Sequence, residues 1–385
     1  MNLRTSAPSP LTKDRVAALD GIRGLAIISV FLFHASYDSN TDWLFSMFSW
    51  GWMGVDLFFV LSGFLITGIL LDAIDQPSRY YYRNFYARRF LRLAPELCFF
   101  LVVLFYVFPA VQLGSPADLA TLKSSQGWYW SYLVNVLVAK QKSFSATPIG
   151  TGPLWSLSVE EQFYLIWPFL IARAGSLRRV AMLSVAVIVA ATCTRAIAWK
   201  LGYGGAATYV LPFTRADALA WGALLASLVR LPNGTQVVKR CRTPLMVAGA
   251  VLLGVVAAMR EPNWPTWEGA WMQVVGYPGL AMLCSGLVAF VITGFVGPFA
   301  WRPLVRFGHY SYGIYLWHST VLVLFAGASQ LRGLLFLPFG AMFCLLPAAV
   351  SWKAFAEPAL RLKRFFPMSP PAEAAAATPR ESVAA

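Results

Sequence analysis

The chain has 385 residues, of which 58% are hydrophobic and only 12% charged, whereas soluble domains carry roughly a quarter charged residues. That balance, with a mean hydropathy of +0.60, excludes an ordinary soluble domain and places most of the chain in lipid. The formal charge of +14 would suggest nucleic acid in a soluble protein, but here Lys and Arg cluster in short connections between apolar stretches. They mark orientation and headgroup contact, and no nucleic-acid partner is expected.

Apolar runs of about 17–25 residues, the length that crosses a bilayer, recur along nearly the whole sequence. Isolated strands cannot satisfy their backbone in hydrocarbon, so the expected fold is an all-α, polytopic transmembrane helix bundle. A polar leader, residues 1–16, precedes the first run. That run carries Asp20, Arg23 and His34, which a cleavable signal peptide tolerates poorly, so it reads as a retained helix. Ten spans follow, at about 17–37, 52–72, 93–112, 155–172, 180–199, 209–229, 244–259, 270–294, 309–327 and 333–356.

The run Gly127 to Ala139 is short for a span and edged by aromatics that favour the interface. If it does not cross, five basic groups fall on one side of the membrane and both termini are cytoplasmic. The transmembrane domain then covers residues 17–360, and residues 361–385 form a tail that is basic at first and then rich in Ala and Pro, hence disordered. No internal repeat and no second soluble domain is evident. Cys98, Cys193, Cys241, Cys284 and Cys344 are scattered and mostly inside apolar runs, which gives neither metal spacing nor a disulfide framework. No metal and no permanently bound cofactor is expected.

A charged side chain at mid-membrane costs roughly 2.5–3.5 kcal/mol on insertion scales, so each one needs a reason. In the first helix Arg23 and His34 are eleven residues apart; eleven steps of about 100° bring them onto one face, about 16 Å apart along the axis. With the amino terminus inside, Arg23 lies near the cytoplasmic surface and His34 near the outer one. The second helix returns from outside, placing Asp56 of GWMGVDLFFVLSGF in the same outer third. The fourth enters through PLWSLSVEEQFYLIWP and puts Glu160 and Glu161 at similar depth. A carboxylate there would orient the imidazole and raise its basicity. The alternative is that Asp56 and Glu160 merely pair with arginines such as Arg195 or Arg215 to hold helices together, and that His34 is a packing residue.

On the cytoplasmic side, RYYYRNFYARRFLRLAPE brings Arg88, Arg89 and Arg92 close together, with Arg89 and Arg92 facing the same way on a helix. With Arg23 they suit a phosphorylated ligand, since guanidinium forks bind phosphate bidentately; the plainer reading is a positive-inside anchor. Arg215 and Asp217 of FTRADALAWGALLA are substrate contacts or structural partners that hold helices together. His318 of GHYSYGIYLWH is a second acid/base, a substrate contact or a packing residue.

These segments, LDGIRGLAIISVFLFHA, GVDLFFVLSGFLI, FYARRFLRLAPE, PLWSLSVEEQFYLIWP, RADALAWG and HYSYGIYLWH, resemble, in order, the motifs of the acyltransferase-3 family of bacterial membrane proteins. The resemblance covers about residues 17 to 320. It implies an acyl-CoA donor, usually acetyl-CoA, bound as co-substrate from the cytoplasm, and an acceptor hydroxyl on a carbohydrate or glycolipid across the inner membrane. Arg23 and His34 fall on the family's Arg-x10-His motif, Arg89 and Arg92 on Arg-x-x-Arg, and Ser158 and Glu160 on Ser-x-Glu. Some members continue into an extracytoplasmic esterase-like domain; no such domain is expected here.

The expected chemistry is O-acylation. Arginines hold the CoA phosphates, the pantetheine arm carries the thioester toward His34, and His34 acts as base, with Asp56 or Glu160 setting its tautomer. An acyl-histidine intermediate is equally open. The competing reading is a carrier for a small metabolite or lipid-linked sugar that uses the intramembrane charges as a pathway.

Overall fold

A computed structural model describes residues 12–39, 41–259, 267–329, 331 and 333–369. All regular elements among them are helical. In chain order these are α1 (Lys13–Asp38), α2 (Asp42–Phe48) and α3 (Gly54–Asp72), then α4 (Asn84–Val102), which runs through a π-helical turn into α5 (Phe108–Ala110). Next come α6 (Pro116–Trp130), α7 (Val134–Gln141), α8 (Leu154–Ala174), α9 (Leu177–Lys200), α10 (Gly205–Val210) and α11 (Pro212–Leu228). The last six are α12 (Gly234–Ala258), α13 (Tyr277–Ile292), α14 (Arg302–His309), α15 (Ser311–Ala328), α16 (Phe336–Ser351) and α17 (Glu357–Arg361).

Among the described residues, seven helical stretches are long and apolar enough to cross a membrane: Lys13–Asp38, Asp42–Asp72, Arg79–Ala110, Leu177–Lys200, Gly234–Ala258, Met272–Ile292 and Gly333–Phe365. The expectation was ten. At the three remaining positions the chain also forms helices, α8, α11 and α15, and these carry the acidic, basic and histidine side chains that dilute their apolar character. The run 127–139 is not one helix. It divides between the end of α6 and the start of α7, because the intervening Tyr132 takes a left-handed φ of 55° and the Leu133 N–H donates back to the Trp128 carbonyl at 2.8 Å.

α1 begins where the Thr12 hydroxyl accepts from the Arg15 N–H, with Asp14 in the first turn, a favourable sign at the positive end of a helix. Lipid tails offer no hydrophobic reason for helices to associate, so close van der Waals packing must hold them together. α3 against α11 is one such contact. A Cβ on Gly63 would stand 1.8 Å from the Leu219 carbonyl oxygen, and one on Gly222 would stand 1.9 Å from that of Val60. Only glycine permits this approach from both sides. α11 also packs on α9, α12 on α13, and α1 on α14 and α15. The core so formed buries Ile22, Ile27, Phe59, Phe64, Trp167, Leu219 and Val288.

The segment expected to begin a free tail is partly held. Arg88 donates to the carbonyls of Lys363 and Phe366, both at 3.3 Å, and Asn84 to that of Pro367, so residues 361–369 lie along α4. Residues 370–385 fall outside the described residues.

Candidate active site

The 3.6-residue period of α1 turns Arg23 and His34 toward the interior, and each lines a recess. At the histidine end, a recess of about 880 Å³ is lined by His34, Asp38, Trp52, Trp155, Tyr209, Trp267 and Tyr315, among others. A central recess of about 630 Å³ holds Arg23, Ser62, Arg89, Arg92, Glu160, Tyr164 and Tyr315. A third, of about 640 Å³ at the arginine end, shares Arg23, Ser62, Arg89, Arg92 and Tyr164 with it and adds Asp20 and Lys363. Val55 and Tyr315 line both the central and the histidine-end recesses. The three therefore adjoin along the axis of α1.

His34 Nδ1 lies 2.9 Å from the Val30 carbonyl oxygen. A carbonyl only accepts, so this nitrogen carries the proton. His318 Nδ1 likewise donates to the Tyr315 carbonyl at 2.8 Å, which leaves His318 Nε2 as an acceptor. That atom is 3.3 Å from His34 Nδ1, and the two rings meet edge to face at 75°. The His34 N–H is thus shared between Val30 and His318. His34 Nε2, with no hydrogen-bond partner among the described residues, keeps its lone pair free beside the recess.

The expected carboxylate partner of His34 is not where depth alone would put it. Asp56 lies in the first turn of α3, but its Oδ1 accepts from Arg215 Nη2 at 2.7 Å, with both side chains buried. α3 presents Asp56 to α11 and not to α1, and depth in the membrane says nothing about azimuth. Arg215 in turn stands over the rings of Tyr277 and Tyr209, 4.2 and 5.1 Å from their centroids. Asp217 is likewise taken up: Arg195 Nη1 donates to its Oδ2 at 2.7 Å. Neither pair lines any of the three recesses, so the structural alternative weighed for Asp56, Arg215 and Asp217 is the one the packing favours.

Glu160 also keeps away from His34, but it sits in the central recess. Ser62 donates to its Oε1 at 2.9 Å, and the Tyr164 hydroxyl lies 3.0 Å from its Oε2. Ser158, two residues earlier, is buried and spends its hydroxyl on the Leu154 carbonyl. Glu161 faces a separate lateral groove beside Leu97 and Trp130.

At the arginine end, Arg23 Nη1 donates to Asp20 Oδ1 at 2.7 Å. Arg89 and Arg92 make no hydrogen bond or ion pair among the described residues, although Arg89 stacks 5.5 Å above the Tyr164 ring. Two guanidiniums without an ion-pair partner among the described residues, held together in one recess, have the charge and donor geometry that suit an anion. Arg88 is not part of it, since its guanidinium points to the C-terminal backbone. Lys363 is, brought there by the segment along α4. Lys363, Asp38, Ser62, Tyr164 and Tyr315 were not singled out from sequence. Asp38 alone carried a local signal, lying one helical turn beyond His34.

Comparison with known proteins follows the same lines. The profile of the acyltransferase domain matches residues 16–355. The peptidoglycan O-acetyltransferase OatA of Listeria monocytogenes is 31% identical over 329 residues, which are 81% of this chain and 50% of OatA. YrhL of Bacillus subtilis is 30% identical over 325 residues, 80% of this chain and 49% of YrhL. SACOL0978 of Staphylococcus aureus is 28% identical over 333 residues, covering 80% and 50%. The chain spans about half the length of the curated relatives it matches. No solved structure matches. With its profile matched along nearly all of the helical bundle, the chain belongs to the acyltransferase-3 family.

Proposed function

We propose that the chain is a membrane-embedded O-acyltransferase that takes an acyl group, in the first instance acetyl, from acyl-CoA and places it on a hydroxyl of an envelope or exported carbohydrate. The observation that carries this reading is the line of adjoining recesses between an unpaired arginine pair and an imidazole with a free Nε2. Arg89, Arg92 and Lys363 hold the phosphates of the donor at the cytoplasmic end, with Arg23 beside them. The extended thioester arm passes Glu160 and Tyr315 and covers the roughly 16 Å to His34.

His34 Nε2 then takes the proton of the acceptor hydroxyl as its oxygen attacks the thioester carbonyl. The tetrahedral intermediate collapses to the ester, and the C–S bond breaks to release CoA thiolate, which receives the proton from the imidazolium. His318 Nε2, accepting from the opposite ring nitrogen, keeps His34 in the tautomer this needs and shares the charge it gains. A carrier reading would use the charges along the recesses as a pathway, but it leaves the His34–His318 pair at their end without a role.

The test is the full chain in liposomes with radiolabelled acetyl-CoA and a peptidoglycan disaccharide. Wild-type protein is expected to label the sugar, and His34→Ala to insert normally and lose roughly two to four orders of magnitude in rate. Retained transfer in His34→Ala overturns the base assignment, and sugar counterflow without CoA release supports the carrier instead.

A further inference from the structure

We propose that the histidine-end recess is a sugar subsite in which Asp38 binds the acceptor's hydroxyls and the Trp267 ring, backed by Tyr209, carries its pyranose face. The inference rests on the acyl-transfer reading of the same site and names what that site holds.

Asp38 is the last residue of α1, one turn beyond His34, and lines the same recess. Its carboxylate has no hydrogen bond or ion pair among the described residues. It also stands at the negative end of the helix dipole, where an acidic residue is disfavoured, and no basic residue shares the last turn. No side chain among the described residues pairs with it, and it lies half-buried at the recess, accessible to a ligand that enters.

The same recess has an aromatic wall, in which the buried Tyr209 backs the more exposed Trp267. The Tyr209 and Trp267 rings stack 5.0 Å apart at 27°. Trp155 lies 4.5 Å from Tyr209, and Phe144 meets Trp267 edge-on at 5.4 Å. Although Trp267 is in an irregular segment, its carbonyl accepts from Gln273 at 2.7 Å and from Tyr277 at 3.0 Å, which fixes its position. Arg215 stands over the Tyr209 ring at 5.1 Å.

A sugar ring has an apolar C–H face that packs on aromatic rings and a rim of hydroxyls that donate to a carboxylate. An acyl chain would use the wall and leave Asp38 unpaired. A quaternary ammonium would use both wall and carboxylate, and competition by choline separates it from a sugar.

The experiment uses the full chain in nanodiscs, with an N-acetylglucosaminyl–N-acetylmuramic acid disaccharide as probe. Binding is read by tryptophan fluorescence without donor, and transfer is read with acetyl-CoA. Asp38→Asn and Trp267→Ala are each expected to weaken binding and raise the acceptor KM about tenfold or more, with the KM for acetyl-CoA unmoved, while Trp267→Phe stays near wild type. An acceptor KM unchanged in Asp38→Asn, no binding of the disaccharide, or its displacement by choline overturns the subsite. Binding without any transfer leaves the subsite standing and overturns the acyltransferase reading.

Discussion

His34 and His318 form a dyad across α1 and α15: His318 Nε2 lies 3.3 Å from His34 Nδ1, and the ring centroids are 4.8 Å apart. The carbonyls of Val30 and Tyr315 hold both imidazoles in the Nδ1–H tautomer. In the proposed mechanism His318 orients His34 as a carboxylate orients the histidine of other acid–base pairs, without placing a negative charge in the membrane interior.

The first prediction concerns that dyad. His318→Ala frees the His34 ring and should lower kcat about 10–100-fold with the KM for acetyl-CoA unchanged. His318→Gln, whose amide oxygen can still accept from His34, should recover part of the loss. Steady-state kinetics on protein in liposomes decides it; equal loss in both variants would mean that His318 matters only for packing.

A second prediction separates the arginines. Arg89→Ala, Arg92→Ala and Lys363→Ala should each raise the KM for acetyl-CoA, by about tenfold for a lost charge-assisted contact. Arg88→Ala, turned toward the Lys363 and Phe366 carbonyls, should leave that KM alone. A donor KM as sensitive to Arg88 as to Arg89 would refute the anion site as drawn.

The buried pair Asp56–Arg215 gives a third. Asp56→Ala leaves an uncompensated guanidinium and should cost about 3–5 kcal/mol of stability. Asp56→Leu combined with Arg215→Met should restore most of it, as apolar replacements of buried pairs do. Thermal unfolding in detergent, followed by loss of monodisperse protein, measures both. If Asp56 instead served His34, the double variant would be stable and inactive.

A fourth addresses helix packing. Gly222→Leu places side-chain atoms where the Val60 carbonyl stands, 1.9 Å from a Cβ at that position. The variant should fail to accumulate as folded protein, whereas Gly254→Leu, where nothing lies within 4 Å of a Cβ, should behave as wild type. The comparison needs only fluorescence-detected size exclusion of the two proteins.

Much of this was legible in the residues. Apolar runs of bilayer length fixed an all-helical bundle, and the helical period alone placed Arg23 and His34 on one face, because both positions lie on the same rigid helix. That Arg89 and Arg92 share a face follows from their spacing of three in the same way. Asp56 shows where such reasoning stops. Its depth beside His34 followed from topology, yet rotation of α3 about its own axis turned it toward Arg215.

The sequence by itself therefore determined the membrane class, the family and the residues of the Arg-x-x-Arg and Arg-x10-His motifs, since these depend on composition and on intervals within single helices. Only the tertiary structure decided which residues meet: His318 beside His34, Lys363 in one recess with Arg92, Asp56 on Arg215, and Asp38 in one recess with Trp267. Those pairs join segments far apart in the chain, and which faces meet is settled by close van der Waals packing such as that of Gly63 and Gly222 between α3 and α11, a property of many helices together that no single helix carries.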